Sequence, residues 1–530
     1  MIIKDKSQMN KINLSSLMYT GIGSIVGSGW LMSSYLIASI SGPSAILSWI
    51  IGSIIILVIA LNFIEVCGFL PAKNGGFGHY VDYTHNSALS FIVEWVFLLS
   101  WIGLIPAEAT ATVQYLSSML PSLNTLVMAA NGKDMTFVGS AITSLVCLAF
   151  FFINYASMTL LMKCIKYLTL LKILIPIIVA VILLVVAHNF SNLGITTHSF
   201  MPYGSHGMLQ SITTGGVVFA FIGFQTPVTF AGSALNPKRN IPLAILLSVL
   251  FCTIIYSVLQ LAYIVAVPHD LVLKDGWQSI VYTAPFIDLS HIYKLDFLKS
   301  IIMIVAFIAP FSAGLIFYAS AVKITSGFTE YLPKIVAYKK KDNPLGSLLF
   351  VLFGSLAFIW LLPGWQEIVS VICVSLIILF AVMCLVNGAL TRHAKYGKSA
   401  HGIHLRGSKY FSALGYVLAS LMYFWSSWPL TGKGLIVLII STPVYFIFHS
   451  KKVGFKEAFC DFFLASWLFF HMLLITAVSY LGTFGGIGYL SSATSQLLVV
   501  IISLLFYFIG LKNSKLSSKL TDHISAQNQE

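Results

Sequence analysis

The sequence predicts an all-α polytopic membrane protein with about fourteen transmembrane helices, and three observations carry that prediction. Of 530 residues, 58% are hydrophobic and only 9% charged, whereas soluble domains run at roughly 45–50% apolar and about 25% charged. The apolar residues form continuous runs rather than an alternating pattern, which argues against a β-barrel. At about 20 residues per spanning helix they fill fourteen or fifteen helices. The third observation is the placement of the positive charge. The formal net charge is +13, and 25 of the 30 Lys and Arg residues fall in segments on one side of the predicted spans. Such segregation is the positive-inside signature of a membrane protein with both termini in the cytoplasm, not a phosphate-binding face for nucleic acid. Composition excludes a soluble enzyme, a disordered regulator and a secreted disulfide scaffold.

The spans run near 13–40, 43–70, 87–117, 135–156, 167–188, 208–234, 242–267, 298–325, 346–362, 367–390, 410–430, 434–449, 458–482 and 492–511. The first apolar segment is too long for the core of a cleavable signal and is expected to stay as the first span. Residues 1–12 then form a cytoplasmic amino terminus, and 512–530 a polar cytoplasmic tail. Three connections are long: 268–297 outside, and the Lys/Arg-rich 326–346 and 391–409 inside. Seven scattered cysteines form no CxxC pair and sit mostly in apolar segments, which reads as small buried hydrophobes with no disulfide or metal.

Two spans differ from the rest. The first carries Gly21-Ile22-Gly23-Ser24-Ile25-Val26-Gly27-Ser28-Gly29, and each glycine costs a helix roughly 1 kcal/mol relative to Ala. The sixth carries Thr213-Thr214-Gly215-Gly216, then Phe219-Ala220-Phe221-Ile222-Gly223-Phe224-Gln225-Thr226-Pro227. Peptide groups freed by an interrupted helix cannot face lipid, so such breaks line a cavity or a ligand. Interrupted spans at matching positions of two halves point to a transporter built from inverted repeats. Spans 1 and 6 make this a five-plus-five core over 13–391, with four further helices over 392–511. The simpler explanation, close packing through a GxxxG pair such as Gly23 and Gly27, accounts for a lone motif. It does not account for four glycines and two serines answered five spans later.

These residues resemble the amino acid–polyamine–organocation (APC) superfamily through four blocks in order. Gly21 to Gly29 is similar to its glycine-rich first helix. Glu65, Pro71 and Asn74-Gly75-Gly76-Phe77-Gly78-His79-Tyr80 are similar to its acidic residue, proline and Gly-Gly-aromatic loop. Phe219 to Gln225 with Asn236-Pro237-Lys238-Arg239-Asn240-Ile241-Pro242 resembles its sixth helix and exit, and Leu332-Pro333-Lys334 the loop after its eighth. The match covers about residues 13–392, and no motif is recognised beyond. The combination GSGW, PAEA, GFQ and LPGWQ looks most like the bacterial amino acid–proton symporter branch that contains aspartate–proton symporters. The resemblance implies the LeuT-like inverted-repeat fold, amino acid substrates and secondary transport across the bacterial inner membrane. It implies no cofactor other than a proton gradient, and no ATP. No Walker motif is present, in keeping with that.

An amino acid at the bilayer midplane must replace the water lost from both charged ends. The half-helix N-terminus in span 1 offers amide N–H groups to an anion, which assigns the substrate carboxylate to backbone around Ser24, Ile25, Gly27, Ser28 and Gly29. Freed carbonyls at Phe219, Ala220 and Ile222 take the ammonium, and Phe219 or Phe221 resembles the aromatic lid of family members, packing aromatics being as common. The ionisable residues within the apolar segments are Glu65, Glu94, Glu108, Lys172, Lys323 and His471, and such groups are functional candidates by default. Glu94, Lys323 and Glu65 fall near inner ends, where a charge can snorkel, and His471 fits a packed neutral ring. Lys172 resembles the fifth-helix lysine that replaces sodium in sodium-coupled relatives, although it too lies within snorkelling reach. Glu108 in span 3 faces the cavity in this fold. Lys172 and Glu108 are thus the proton-coupling candidates, and Glu65 and Gln225 the gating ones, Gln225 standing where some members carry a carboxylate.

The three arginines, Arg239, Arg392 and Arg406, all fall in inner loops, so no arginine is offered to an acidic substrate side chain and its identity stays open. Two other functions compete with symport: exchange of one amino acid or amine for another, and sensing without transport. His291 and Asp296 fit the HxxxxD of a membrane transferase, but a spacing this short arises readily by chance and lacks an acceptor block. The chain is expected not to be an enzyme.

Overall fold

The computed structural model describes residues 12–70, 76–118, 121–129, 134–156, 158–194, 199–282, 284–340, 343–362, 364–392 and 407–515. The expected amino-terminal segment up to 11, the tail beyond 515, Pro71, Asn74, Gly75 and Arg406 lie outside them. The first half runs as α1 (Leu14–Ile25), α2 (Gly29–Ser41), α3 (Ala45–Phe69), α4 (Gly78–Asp82), α5 (Ser87–Ser118), α6 (Pro121–Val127), α7 (Phe137–Ala156) and α8 (Met158–Ala187). Next come α9 (Gly204–Thr213), α10 (Val217–Phe221), α11 (Thr226–Thr229), α12 (Pro237–Ala266), α13 (His269–Ser279), α14 (Pro285–Ile292) and α15 (Asp296–Gly327). The rest is α16 (Leu345–Leu361), α17 (Trp365–Arg392), α18 (Ser408–Trp425), α19 (Leu430–Val453), α20 (Phe455–Ala465), α21 (Trp467–Leu481) and α22 (Ser492–Lys512). Among the described residues there is no strand, only isolated bridges such as Ile12 with Ala234.

Nine described stretches are long and apolar enough to cross a membrane, or ten with the bent pair α20–α21 counted as one. One of them, 29–69, has 41 residues. At 1.5 Å per residue it would measure about 60 Å, twice a bilayer core, and the chain folds it into α2 and α3 at Gly42-Pro43-Ser44. The expected spans that fall outside this count are short, such as α16 with 17 residues, or interrupted, as are α1–α2 and α9–α11. Large apolar side chains such as Val185, Ile254 and Phe508 stand 62%, 65% and 62% exposed on the outer helices, a surface suited to lipid rather than water.

Helices five spans apart pack against each other, α3 with α12 and α5 with α15. The most enclosed helices are α5 and α17, each 89% buried over its apolar window. Pro106 inside α5 has no N–H for the Ile102 carbonyl, and the Ser355 hydroxyl approaches that carbonyl at 3.4 Å. Both described chain ends lie on one face, here termed the terminal face. There Lys515 N–H donates to the Thr84 carbonyl (2.9 Å) and Arg392 Nη1 to the Leu511 carbonyl (2.7 Å). The distal face carries the bridge between Asp134 and Gly364.

Both glycine-rich spans are broken. Val26 leaves helical geometry at φ −84° and ψ 76°, and α2 opens three residues later at Gly29. In the sixth span α10 ends at Ile222 (ψ 128°), Gly223 takes φ +117°, and α11 starts with Pro227 in its first turn. The two breaks touch. A Cβ on Gly223 would lie 2.6 Å from Ser24 Cβ and 2.8 Å from the Ser24 carbonyl carbon. Gly223→Ala therefore combines an unfavourable φ with a collision, and is expected to lower the apparent Tm and abolish transport. Gly488→Ala, at φ +72° in open space, isolates the backbone cost, about 1–2 kcal/mol. Thermal unfolding of the two variants side by side measures the difference.

Candidate substrate site at the helix breaks

Ending α1 at Ile25 frees backbone carbonyls, and opening α2 at Gly29 frees amides, deep among buried residues. Side chains from distant helices satisfy them. Lys172 Nζ on α8 donates to the Gly23 carbonyl at 2.8 Å, and the Tyr256 hydroxyl on α12 to the Ile25 carbonyl at 3.0 Å. The Ser28 N–H donates to Glu108 Oε2 on α5 at 3.0 Å, and Trp365 Nε1 on α17 to Ser28 Oγ at 3.3 Å. Lys172 is 0% and Glu108 2% exposed, so neither snorkels. The two interact electrostatically with each other. Gly27 lets Glu108 come this close, because a Cβ there would lie 2.4 Å from Glu108 Oε1.

Beside the pair lies a small cavity, lined by Ser24, Ile25, Gly29, Leu104, Glu108, Phe219, Ile222 and Phe317. Five of the nine backbone positions assigned to substrate thus border it. Gly27 and Ser28 instead abut and hold Glu108, and Ala220 lies with its Cα against Gly29. Phe221 turns away, packing at 6.1 Å on Trp49 and 5.6 Å on Tyr256. Phe219 is the aromatic over the cavity, edge-on to Trp365 with ring centres 5.2 Å apart. Its carbonyl accepts the Ile222 N–H at 3.0 Å. The helix geometry leaves the Ser24, Ala220 and Ile222 carbonyls as the freer acceptors.

The model of the amino acid permease family matches residues 12–448. The chain belongs to the amino acid permease family. That match runs past residue 392, where the sequence motifs stop, into α19. Over 520 residues the permease is 34% identical to the glutamate/serine transporter AimA of Bacillus subtilis (strain 168), covering 96% of this chain and 94% of the relative. It is 30% identical over 518 residues to the aspartate-proton symporter of the same organism, covering 95% and 96%. The branched-chain amino acid permease BcaP of that bacterium is 25% identical over 54% of this chain and 63% of its own. The permease is therefore an integral membrane amino acid transporter of the APC superfamily, and its relatives are transporters rather than enzymes.

Of the remaining candidates of the permease, Lys323 is half-buried, with its Nζ over the Phe230 ring at 5.6 Å, and Glu65, Glu94, Gln225 and His471 are buried for separate reasons. Glu65 (1% exposed) accepts from Asn387 Nδ2 at 2.9 Å and from the Ser408 hydroxyl, and Asn387 Nδ2 also donates to Asn62 Oδ1 at 2.9 Å. This cluster joins α3 and α17 of the repeat to α18 beyond it. Glu94 (5% exposed) does not snorkel either. Its carboxylate accepts the Gly78 N–H at 2.6 Å, and a Cβ on Gly76 or Gly78 would run into it. The Gly-Gly-aromatic loop is a backbone cradle for that anion. Gln225 is fully buried, and its side-chain amide meets no partner among the described residues. His471 is a packed ring, bonded to the Tyr416 hydroxyl at 2.9 Å.

Sequence reasoning missed Tyr256, Trp365, Leu104 and Phe317. Trp365 belongs to the LPGWQ block, but nothing in its spacing announces a contact with a residue 337 positions away. Tyr256 is a lone hydroxyl in an apolar helix, a signal that is visible and unspecific. Glu65→Ala leaves the Asn387 amide and the Ser408 hydroxyl short of an acceptor, at about 1–3 kcal/mol for each buried group. A drop in the apparent Tm of the purified permease is expected. Glu65→Gln, which keeps an acceptor oxygen, should lose less.

Proposed function

We propose that the permease is a proton-coupled amino acid symporter of the bacterial plasma membrane, working by alternating access with its terminal face in the cytoplasm. The observation that carries this reading is the Glu108 carboxylate seated on the Ser28 amide, with Lys172 holding the Gly23 carbonyl on the other side of the same break. The substrate α-carboxylate takes the amides of the first turn of α2, where the helix dipole favours an anion. The ammonium takes the Ser24, Ala220 and Ile222 carbonyls. The side chain points to Leu104, Phe317 and Glu108.

Glu108 then gives coupling a physical cause. Two carboxylates about 4 Å apart repel by roughly 4 kcal/mol at an effective dielectric constant near 20. An acidic substrate, as carried by the two relatives above, therefore enters beside Glu108 only when a proton has neutralised it. A small neutral substrate such as serine needs the proton less. Among the described residues the cavity lining offers no arginine to offset the charge: Arg239 and Arg392 are exposed at the terminal face. Lys172 compensates Glu108 whenever the proton leaves.

Proteoliposomes given labelled aspartate, glutamate or serine and an inward proton gradient test this reading. Gradient-driven accumulation is expected, strongest for the acidic pair and collapsed by a protonophore. Glu108→Gln and Lys172→Met should each cut it by roughly tenfold, equivalent to ~1.4 kcal/mol. If both variants still concentrate substrate like the wild type, this pair does not carry the proton. Uptake that ignores the gradient and requires internal amino acid would mean exchange instead.

A further inference from the structure

We propose that Trp365 is the distal gate of the substrate cavity and that Ser28 ties this gate to the charge on Glu108. The inference rests on the reading of Glu108 above and goes beyond it, because Trp365 touches neither member of the proton pair.

Two cavities meet at one wall. One cavity holds Ser24, Glu108 and Phe219, and a second, about as enclosed, lies on its distal side past Thr214, Gly216, Trp365 and Cys373, where Gln366 and Ser370 also border the more open cleft beside Asp134 and Gly364. Phe219 borders both, and Trp365 stands edge-on against it. The pair is the partition. Trp365 is 8% exposed and opens α17, directly after the Gly364 that bridges to Asp134. A bulky ring at the first residue of a helix, beside a loop, can swing out by a change of a few backbone angles. Its one polar atom is the latch: Nε1 donates to Ser28 Oγ.

Ser28 has a second attachment, its N–H on Glu108 Oε2. One residue of unwound backbone, flanked by Gly27 and Gly29, thus accepts from the gate on its hydroxyl oxygen and holds the proton site with both its amide and that same hydroxyl. A hydrogen bond to an ionised acceptor is roughly twice as strong as one to a neutral group. While Glu108 is anionic, Ser28 is held and presents its hydroxyl to Trp365. Once Glu108 is protonated that hold weakens, Ser28 shifts, and the ring is free to leave. The titratable groups facing Glu108 are Lys172 on α8 and Tyr256 on α12. Both remain on α1 carbonyls, so the change falls on the Ser28 side of the break.

A thiol placed behind the partition, at Leu104 in the cavity that holds Glu108, reports on the gate. The full-length Leu104→Cys permease in nanodiscs is treated with a thiol reagent at a series of pH values. Labelling at position 104 is followed by peptide mass spectrometry, with the protein that keeps Leu104 as the blank. With no further change in the chain, labelling is expected to quicken as the pH falls. Trp365→Phe and Ser28→Ala each cut the latch, from opposite ends. Each should raise the rate at high pH by about fivefold, the weight of one ordinary hydrogen bond, and flatten its pH response. Should one variant fail to fold, the other decides. Unchanged rates and an unchanged pH response in the folded variants overturn the latch. Glu108→Gln separates the two readings: a flat, fast profile there with unchanged latch variants refutes the gate link and leaves proton coupling standing. An unchanged profile in Glu108→Gln refutes Glu108 as the trigger.

Discussion

A peptide group stranded in hydrocarbon without a partner costs several kcal/mol, and everything distinctive about this protein answers that constraint. Breaking two helices at the same depth creates a set of such groups. The sequence supplies Lys172, Tyr256 and Glu108 to occupy them from three other helices. The partners of the broken backbone are therefore also its chemistry. A lysine and a glutamate placed to satisfy a carbonyl and an amide form an acid–base pair beside a small buried cavity. Glycine at 27 and at 223 keeps these approaches close, since a side chain at either position would collide with a carboxylate or with the facing break.

The fold was legible because it is dictated by quantities that survive without an alignment: apolar run length, glycine clustering and charge asymmetry. The breaks at 26–28 and 222–225 fall where Gly21 to Gly29 and Gly223 to Pro227 foretell them, because glycine cost and lipid exclusion are local properties. The site was legible only in part. Ser24, Ile25 and Gly29 border the cavity because they belong to the break itself. Whether Phe219 or Phe221 faces it depends on how a helix five residues long is rotated about its axis, which no residue count resolves. The snorkelling reading of Glu94, and the snorkelling alternative for Lys172, fail for one reason. Distance along the chain to a helix end says how far a charge must reach for water, but not whether a loop or a broken helix comes to meet it first.

Backbone cradles recur in the molecule. Glu94 in the 76–78 loop and Glu108 on Ser28 both accept from backbone amides, and Glu108 also faces the Lys172 ammonium. Glu65 differs, because its donors are side chains on two other helices.

That sharing by Glu65 fastens α18 to α3 and α17. A core cut away after α17 would strand a carboxylate and two asparagines on a surface that should be oily. The helices beyond α17 are thus bolted to α3 and α17 through buried polar groups. Swapping such bundles between relatives as interchangeable modules would fail at the bolt, well away from any residue that meets the cargo.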